Sequence, residues 1–323
     1  MHLFNIGAEA CLSKEATMGK YIINRLISTL MTLFLIITLS FFLMHAIPGG
    51  PFDLLYQEMP EESLRALNER FHLNAPLYVQ YLSYLNRLLH GDLGVSCRLS
   101  DIGVNDLLAQ GFPISSKIGM VSIITIVTLG LLLGTLSALH WRRTPDHLIT
   151  IFTTLGISIP GFVTATFILY FFCERLRLLP SNGLYTWKHY IGPVITLSLF
   201  STAFIVRLVS ANLIEILHQD YIRTAMANGL PARHILFKHA MRNALIPVIT
   251  YVGPTFAAVL TGSFVVEKVF TIPGMGKYFV DSISSRDYTV LMGTTLFYAV
   301  IVVSVLFLID LLYAWIDPRI KLR

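Results

Sequence analysis

The residue types and spacing suited to work on a partner lie in one polar insert, His218–Thr250, which reads HQDYIRTAMANGLPARHILFKHAMRNALIPVIT. It carries Arg223, Arg233, Lys238 and Arg242 among small and turn-forming residues. Asp220–Asn228 is rich in helix formers and stops at Gly229, with Pro231 just beyond, the sequence pattern of a helix end. Ala232–Asn243 predicts a second helix, basic on one face, with Ile235, Leu236 and Met241 apolar. Ala225 and Gly229 stand four apart, a spacing that puts them on one helix face, where small residues let another surface approach closely. Such a helix pair serves as a membrane-surface element, a plain packing unit or a docking knob for a cytosolic protein. DNA recognition is disfavoured so close to lipid.

Catalytic chemistry is not indicated. Neither G-x-S-x-G nor H-E-x-x-H occurs, so no nucleophile–base or metal pair marks an intramembrane protease. The phosphate loop G-x-x-x-x-G-K-[ST] is absent too, and ATP is not bound by that route. Cys11, Cys97 and Cys173 form no C-x-x-C pair, although a Cys97–Cys173 bridge stays open. His45, His140, His234 and His239 lack metal-ligand grouping. The expectation is a chain with no cofactor and no metal of its own.

The elements that position the insert follow from composition. Hydrophobic residues make up 54% of the 323 positions and charged residues only 13%, about half the charge of a soluble domain. The apolar surface exceeds what a core of this size can hide, which leaves lipid as the solvent. A membrane span needs about 20 apolar residues. Uncharged runs of that order are Leu26–Met44, Ile118–Leu139, Leu148–Cys173, Ala244–Val266 and Tyr288–Ile309. Ile191–Val206 is shorter, but Leu208–Ile214 continues it if Arg207 snorkels. The expected fold is therefore an all-α membrane protein with six transmembrane helices; continuous rather than alternating hydrophobicity excludes a closed barrel.

Charge sets the orientation. Lys14, Lys20 and Arg25 precede the first span, Arg142 and Arg143 sit between the second and third, the insert lies between the fourth and fifth, and Arg319, Lys321 and Arg323 close the chain. Six spans put all of these on one side, which the positive-inside rule makes cytoplasmic, and the net charge of +5 is read as basic loops facing an anionic leaflet. The segment Ala46–Phe112 is acid-rich and expected outside, with a short helix at Glu61–Phe71 and an amphipathic, tyrosine-rich one at Pro76–Leu89. The expected divisions are a tail at 1–20, a first span at 21–45, an external domain at 46–113, a five-helix core at 114–314 with its loop at 215–246, and a tail at 315–323. Residues 1–17 are expected to be a start-site extension ahead of Met18. Few ionisable groups fall at mid-membrane depth, with Arg207 and Asp310 near inner helix ends, and this argues against an ion-driven carrier.

Four smaller features have chemistry of their own. Gly91-Asp92-Leu93-Gly94 is a tight turn, with an external binding protein as an alternative user of that surface. Pro160-Gly161 kinks the third span, through packing or as a gating hinge. Pro254, Thr255 and Gly262 are candidate pathway or gating positions, although helix packing explains small residues equally well. Asp310 and the Asp317-Pro318-Arg319 ending are interfacial anchors or helix-pairing charges.

The insert resembles the coupling loop of bacterial ABC-importer permeases, with Ala225 and Gly229 at that motif's alanine and glycine. Arg223 and Thr224 replace its leading Glu-Ala, and HAMRN stands where the general pattern has Leu-Pro. Those departures resemble the oligopeptide/dipeptide branch of the family. Further similarity runs through IPGGPF (Ile47–Phe52), Phe71–Ser96, Val104–Ser115, SIPGF (Ser158–Phe162), LLPSNG (Leu178–Gly183), IPGMG (Ile272–Gly276), SRDY (Ser285–Tyr288) and Asp310–Leu322. In combination these look most like the B-type permease subunit of oligopeptide importers. The resemblance implies a type I, MetI-like importer fold and a non-catalytic role. It also implies a heterodimer with a second permease chain, two cytosolic ATPase subunits, an external solute-binding protein and a peptide cargo. It carries over an ATPase-coupling role to Tyr221, Arg223, Thr224, Ala225, Gly229, Leu230, His239, Arg242 and Asn243. Dipeptides, nickel chelates and antimicrobial peptides remain alternative cargoes on the same architecture.

Overall fold

A computed structural model describes residues 2–46, 75–96, 98 and 102–316, with side chains from Gly19 to Leu311, Lys20 excepted. IPGGPF, the helix expected at Glu61–Phe71, Cys97 and the basic residues of the C-terminal tail lie outside the described residues. The chain divides into two compact units, residues 1–107 with 281–323, and residues 108–280.

In the first unit, α1 (His2–Ala46) packs along α11 (Tyr288–Ile316). Arg25 of α1 forms an ion pair with Asp310 of α11, which gives Asp310 the helix-pairing role anticipated for it. At the other end of α1, Phe41 is buried with Met292 and with Tyr84 of α2 (Leu77–Leu89). Thr38 and the Tyr81 hydroxyl are hydrogen-bonded at 2.7 Å, and a His45 ring nitrogen lies 3.2 Å from the Gln80 amide oxygen. Burial pushes the Tyr84 phenol up to about 12, with Arg87 opposing it. The expected Gly91–Gly94 turn forms: Gly91 and Gly94 take φ values of 72° and 92°, and the Gly94 N–H donates to the Asp92 carboxylate at 2.8 Å.

Beyond that turn a short bridge pairs Val95 with Gly103. Asp287, only 2% exposed, ties this segment to the start of α11. The Ser96 hydroxyl and the Arg98 N–H (3.3 Å) donate to its carboxylate, and the Val290 N–H reaches its other oxygen at 3.2 Å. The Arg98 side chain donates to the Ser285 carbonyl at 3.0 Å. The SRDY motif is thus a fastening for the segment around Ser96.

The second unit holds most of α3 (Val104–Leu139), then α4 (Thr144–Ser158), α5 (Gly161–Phe167) with a π-wound continuation Ile168–Arg175, and α6 (Trp187–Leu217). After the insert come α8 (Met241–Leu260), α9 (Phe264–Val269) and α10 (Met275–Ser285). Among the described residues five helices are long and apolar enough to cross a membrane, and the α4–α5 pair makes up to six if it counts as one span. That pair bends by 104° at the Pro160 break, far more than a simple kink. Ile159 is extended (φ −89°, ψ 120°), as a residue before proline must be, and the helix ends there. Close helix approach depends on missing side chains. A Cβ on Gly130 or Gly134 of α3 would strike Ile205 or Val209 of α6, and one on Gly119 would strike the α8 backbone at Val259.

Candidate functional site

The insert folds as a helix, a cap and a second arm. Its first helix, α7 (Asp220–Ala227), ends in a double-bonded cap: the Gly229 N–H donates to the Met226 carbonyl at 3.0 Å and the Leu230 N–H to the Ala225 carbonyl at 3.3 Å. This closure needs a left-handed residue, and Gly229 has φ +74° with nothing within 4 Å of its missing side chain. The shared face expected from the four-residue spacing does not form. Ala225 turns inward and Gly229 lies beyond the helix as its cap, so the two do not form one small-residue surface. Pairing at four-residue spacing holds only while the helix continues, and it stops at Ala227.

Ala225 and Ile222 are buried with Ala138 at the end of α3, Leu213 of α6, and Ile235, Ala240 and Ala244 of the second arm. Tyr221, Arg223, Thr224 and Leu230 are exposed, as are the apolar side chains of Met226 and Phe237. Arg223 lies 3.7 Å from Asp220, and Thr224 donates to the Asp220 carbonyl at 3.0 Å. The second arm opens with the turn Ala232–His234, winds as a π-helix through Ile235–Ala240, and runs straight into α8. A separate helix ending at Asn243 is thus replaced by one continuous with the span. The extra residue per turn in a π segment rotates the helix beyond it, a device common at functional positions. His239 is half-buried, while Arg242 and Asn243 are exposed. Asn243 Nδ2 donates to the Tyr221 hydroxyl at 3.0 Å, joining the two arms. The structure brings these two predicted residues together and sets His239 and Arg242 apart from them on the second arm.

The candidate gating residues have mixed surroundings. Pro160, Gly161 and Pro254 are exposed, and Thr255 donates to the Tyr251 carbonyl of its own helix at 2.8 Å. Gly262, at φ +81°, packs instead against Glu267. Cys173 has a free, buried thiol that donates to the Pro180 carbonyl at 3.5 Å.

Glu267 was missed by the sequence reading, which expected no buried ionisable group here. It is 2% exposed at the end of the span running from Ala232 to Val269. Its carboxylate accepts the Gly276 N–H at 2.7 Å, and the Lys277 N–H and Ser115 hydroxyl also reach it. Ser115 in turn accepts the Met275 N–H at 2.9 Å. A side chain at Gly262, Gly274 or Gly276 would collide with this carboxylate. The glycines of IPGMG were the available signal, since closely spaced glycines mark backbone wrapped around something. One carboxylate oxygen of Glu267 is thus held by backbone, while the other, Oε1, is buried without a hydrogen-bond partner among the described residues.

Residues 130–322 match the family described as "Binding-protein-dependent transport system inner membrane component", and residues 18–104 match its companion N-terminal region. The chain belongs to this family. The permease is 45% identical over 309 residues to the dipeptide transport system permease protein DppB of Bacillus subtilis, covering 95% of this chain and 99% of that one. It is 42% identical over 306 residues to the oligopeptide transport system permease protein OppB of Haemophilus influenzae, covering 94% and 100%. An inward-facing structure of the MetNI methionine ABC transporter matches the permease fold with a TM-score of 0.55 at 18% identity, over 65% of this chain and 96% of that one. The chain is thus a membrane-embedded permease of type I fold, a transport component and not an enzyme.

Proposed function

We propose that this permease is one of two related chains of an ATP-driven, binding-protein-dependent importer of oligopeptides in a bacterial inner membrane, with both termini cytoplasmic. The observation that carries the coupling reading is the seating of α7. Ile222 and Ala225 are locked into a core shared with α3, α6 and the second arm, while Gly229 and its neighbours stand free. A knob held this way passes a push from a cytosolic ATPase into the spans instead of deforming. Tyr221, Arg223, Thr224 and Leu230 offer the exposed surface, with Ala225 seating it and Gly229 capping it. Asn243 braces it from the second arm through Tyr221, and His239 and Arg242 extend the basic surface beside it. ATP binding closes the ATPase pair and opens the paired permeases outward to receive cargo from the binding protein, and hydrolysis resets them.

Relatives named for dipeptide and for oligopeptide transport are similarly close, so a dipeptide cargo is the second reading. Reconstitution with the second permease, the ATPases and the binding protein, followed by uptake of labelled di-, tri- and pentapeptides, tests both. Preference for the longer peptides supports the oligopeptide reading, and preference for the dipeptide replaces it. Uptake with no nucleotide-hydrolysing partner present would overturn the coupling reading altogether.

A further inference from the structure

Where α3 ends and α4 begins, these two helices and α6 enclose a cavity of about 340 Å³ whose walls include Trp141, Asp146, Thr150, Thr153, Arg207 and Ser210. Its depth is set by helix rise. Arg207 comes 20 residues after Trp187 at the start of α6, about 30 Å at 1.5 Å per residue, which equals the hydrocarbon thickness. The exposed Trp187 indole suits one boundary of that layer, and Arg207 then sits at the other. The α6 helix continues ten residues to Leu217, a further rise of about 15 Å through the headgroup layer. The cavity spans that layer.

Its charges are not balanced from within. Arg207 donates to Thr154 at 2.7 Å and to Thr153 at 3.4 Å, and among the described residues no carboxylate lies within ion-pair distance of it. The carboxylate in the wall, Asp146, is already held by the Ser137 hydroxyl at 2.6 Å and the Arg142 N–H at 2.9 Å. The Arg142 guanidinium lies 4.4 Å above the Trp141 ring, and exposed Arg143 adds a further cation at the rim. A guanidinium at the lipid boundary with only hydroxyl partners retains donors for an anion, and phosphate is the anion present at that depth.

We propose that this cavity holds the headgroup phosphodiester of an anionic phospholipid, with Arg207 as counter-ion at the boundary with the acyl chains and the Trp141 indole, beside His218, at the aqueous end. The surplus of cations over Asp146 selects an anionic lipid over a zwitterionic one.

The assembled transporter, purified from nanodiscs of equal phosphatidylglycerol and phosphatidylcholine, is examined by native mass spectrometry for retained lipid. The wild type retains phosphatidylglycerol in excess. Arg207→Gln lowers that excess about fivefold, the effect of roughly one surface cation, whereas Arg207→Lys keeps most of it and Arg143→Gln changes it by less than about twofold. Ala211→Phe, which fills the cavity with Arg207 intact, lowers it likewise and decides the matter should Arg207→Gln fail to assemble. An unchanged excess in Ala211→Phe overturns the proposal, as does an equal loss in Arg143→Gln. Displacement of the lipid by millimolar inorganic phosphate would identify a free-anion site instead. Loss of the second permease from Arg207→Gln with lipid retained would assign the cavity to a protein partner.

Discussion

Asn243 and Tyr221 are joined by a 3.0 Å hydrogen bond although they belong to different arms of the insert. The bond is exposed, so its worth is about 0.5–1.5 kcal/mol, but it closes the loop at its open side. Tyr221→Phe and Asn243→Ala are each expected to raise tryptic cleavage at Arg233 several-fold in membrane vesicles without lowering the amount of inserted protein. Cleavage at the wild-type rate in both variants would show that the buried cluster around Ile222 alone holds the arms together.

Gly229 separates two effects. Gly229→Ala forces a side chain into φ +74° at a cost of about 1–2 kcal/mol, with space around it otherwise open, so docking should persist with modestly reduced transport. Gly229→Arg adds a bulky cation at the same place. It is expected to insert normally while losing uptake, as measured by peptide accumulation alongside ATPase co-purification. Normal uptake with normal ATPase association in Gly229→Arg would remove the coupling role.

Glu267 offers a contrast between chemistry and shape. Glu267→Gln keeps an oxygen for the Gly276 N–H, whereas Glu267→Ala leaves buried donors unserved, a cost of about 1–3 kcal/mol for hydrogen bonding alone. Thermal unfolding of the solubilised complex is expected to fall by about 5 °C for Glu267→Ala and by about 2 °C or less for Glu267→Gln. Equal midpoints for Glu267→Ala and wild type would show that the glycine wrap stands without its carboxylate.

Arg25 and Asp310 pair between α1 and α11 with the arginine side chain nearly half exposed, which limits the pair to about 1 kcal/mol. Arg25→Ala is expected to reduce thermal stability slightly, and the exchanged pair Arg25→Asp with Asp310→Arg to restore it. A further loss in the exchanged form would mean that each side chain serves something else.

Much of the architecture was legible because lipid imposes a coarse rule: long uncharged runs such as Tyr288–Ile309 become spans whatever their detailed packing. The helix end at Gly229 and the turn at Gly91–Gly94 were readable for a local reason, since backbone sign is a property of the residue itself. Direction into or out of the core was not. Ala225 is small enough to suit a docking surface or a buried wedge, and only the neighbouring helices decide. Asp287 was missed because its partner Ser96 lies in a distant segment, and at Glu267 the IPGMG glycines signal wrapped backbone without naming the carboxylate it closes on.

Pro160 has no N–H to give the Gly156 carbonyl one turn before it. Gly156 lies 12 residues after Thr144 in α4, which places this vacancy about 18 Å from the helix start and about 5 Å past Thr153 and Arg207, just inside the hydrocarbon. Acyl chains offer no donor, so a carbonyl at that depth must be met by water or by another polypeptide. Gly156 itself is buried, packed against Ala203 and Leu199 of α6, so this break in the span is covered by the permease's own neighbouring helix and is not left to the acyl chains.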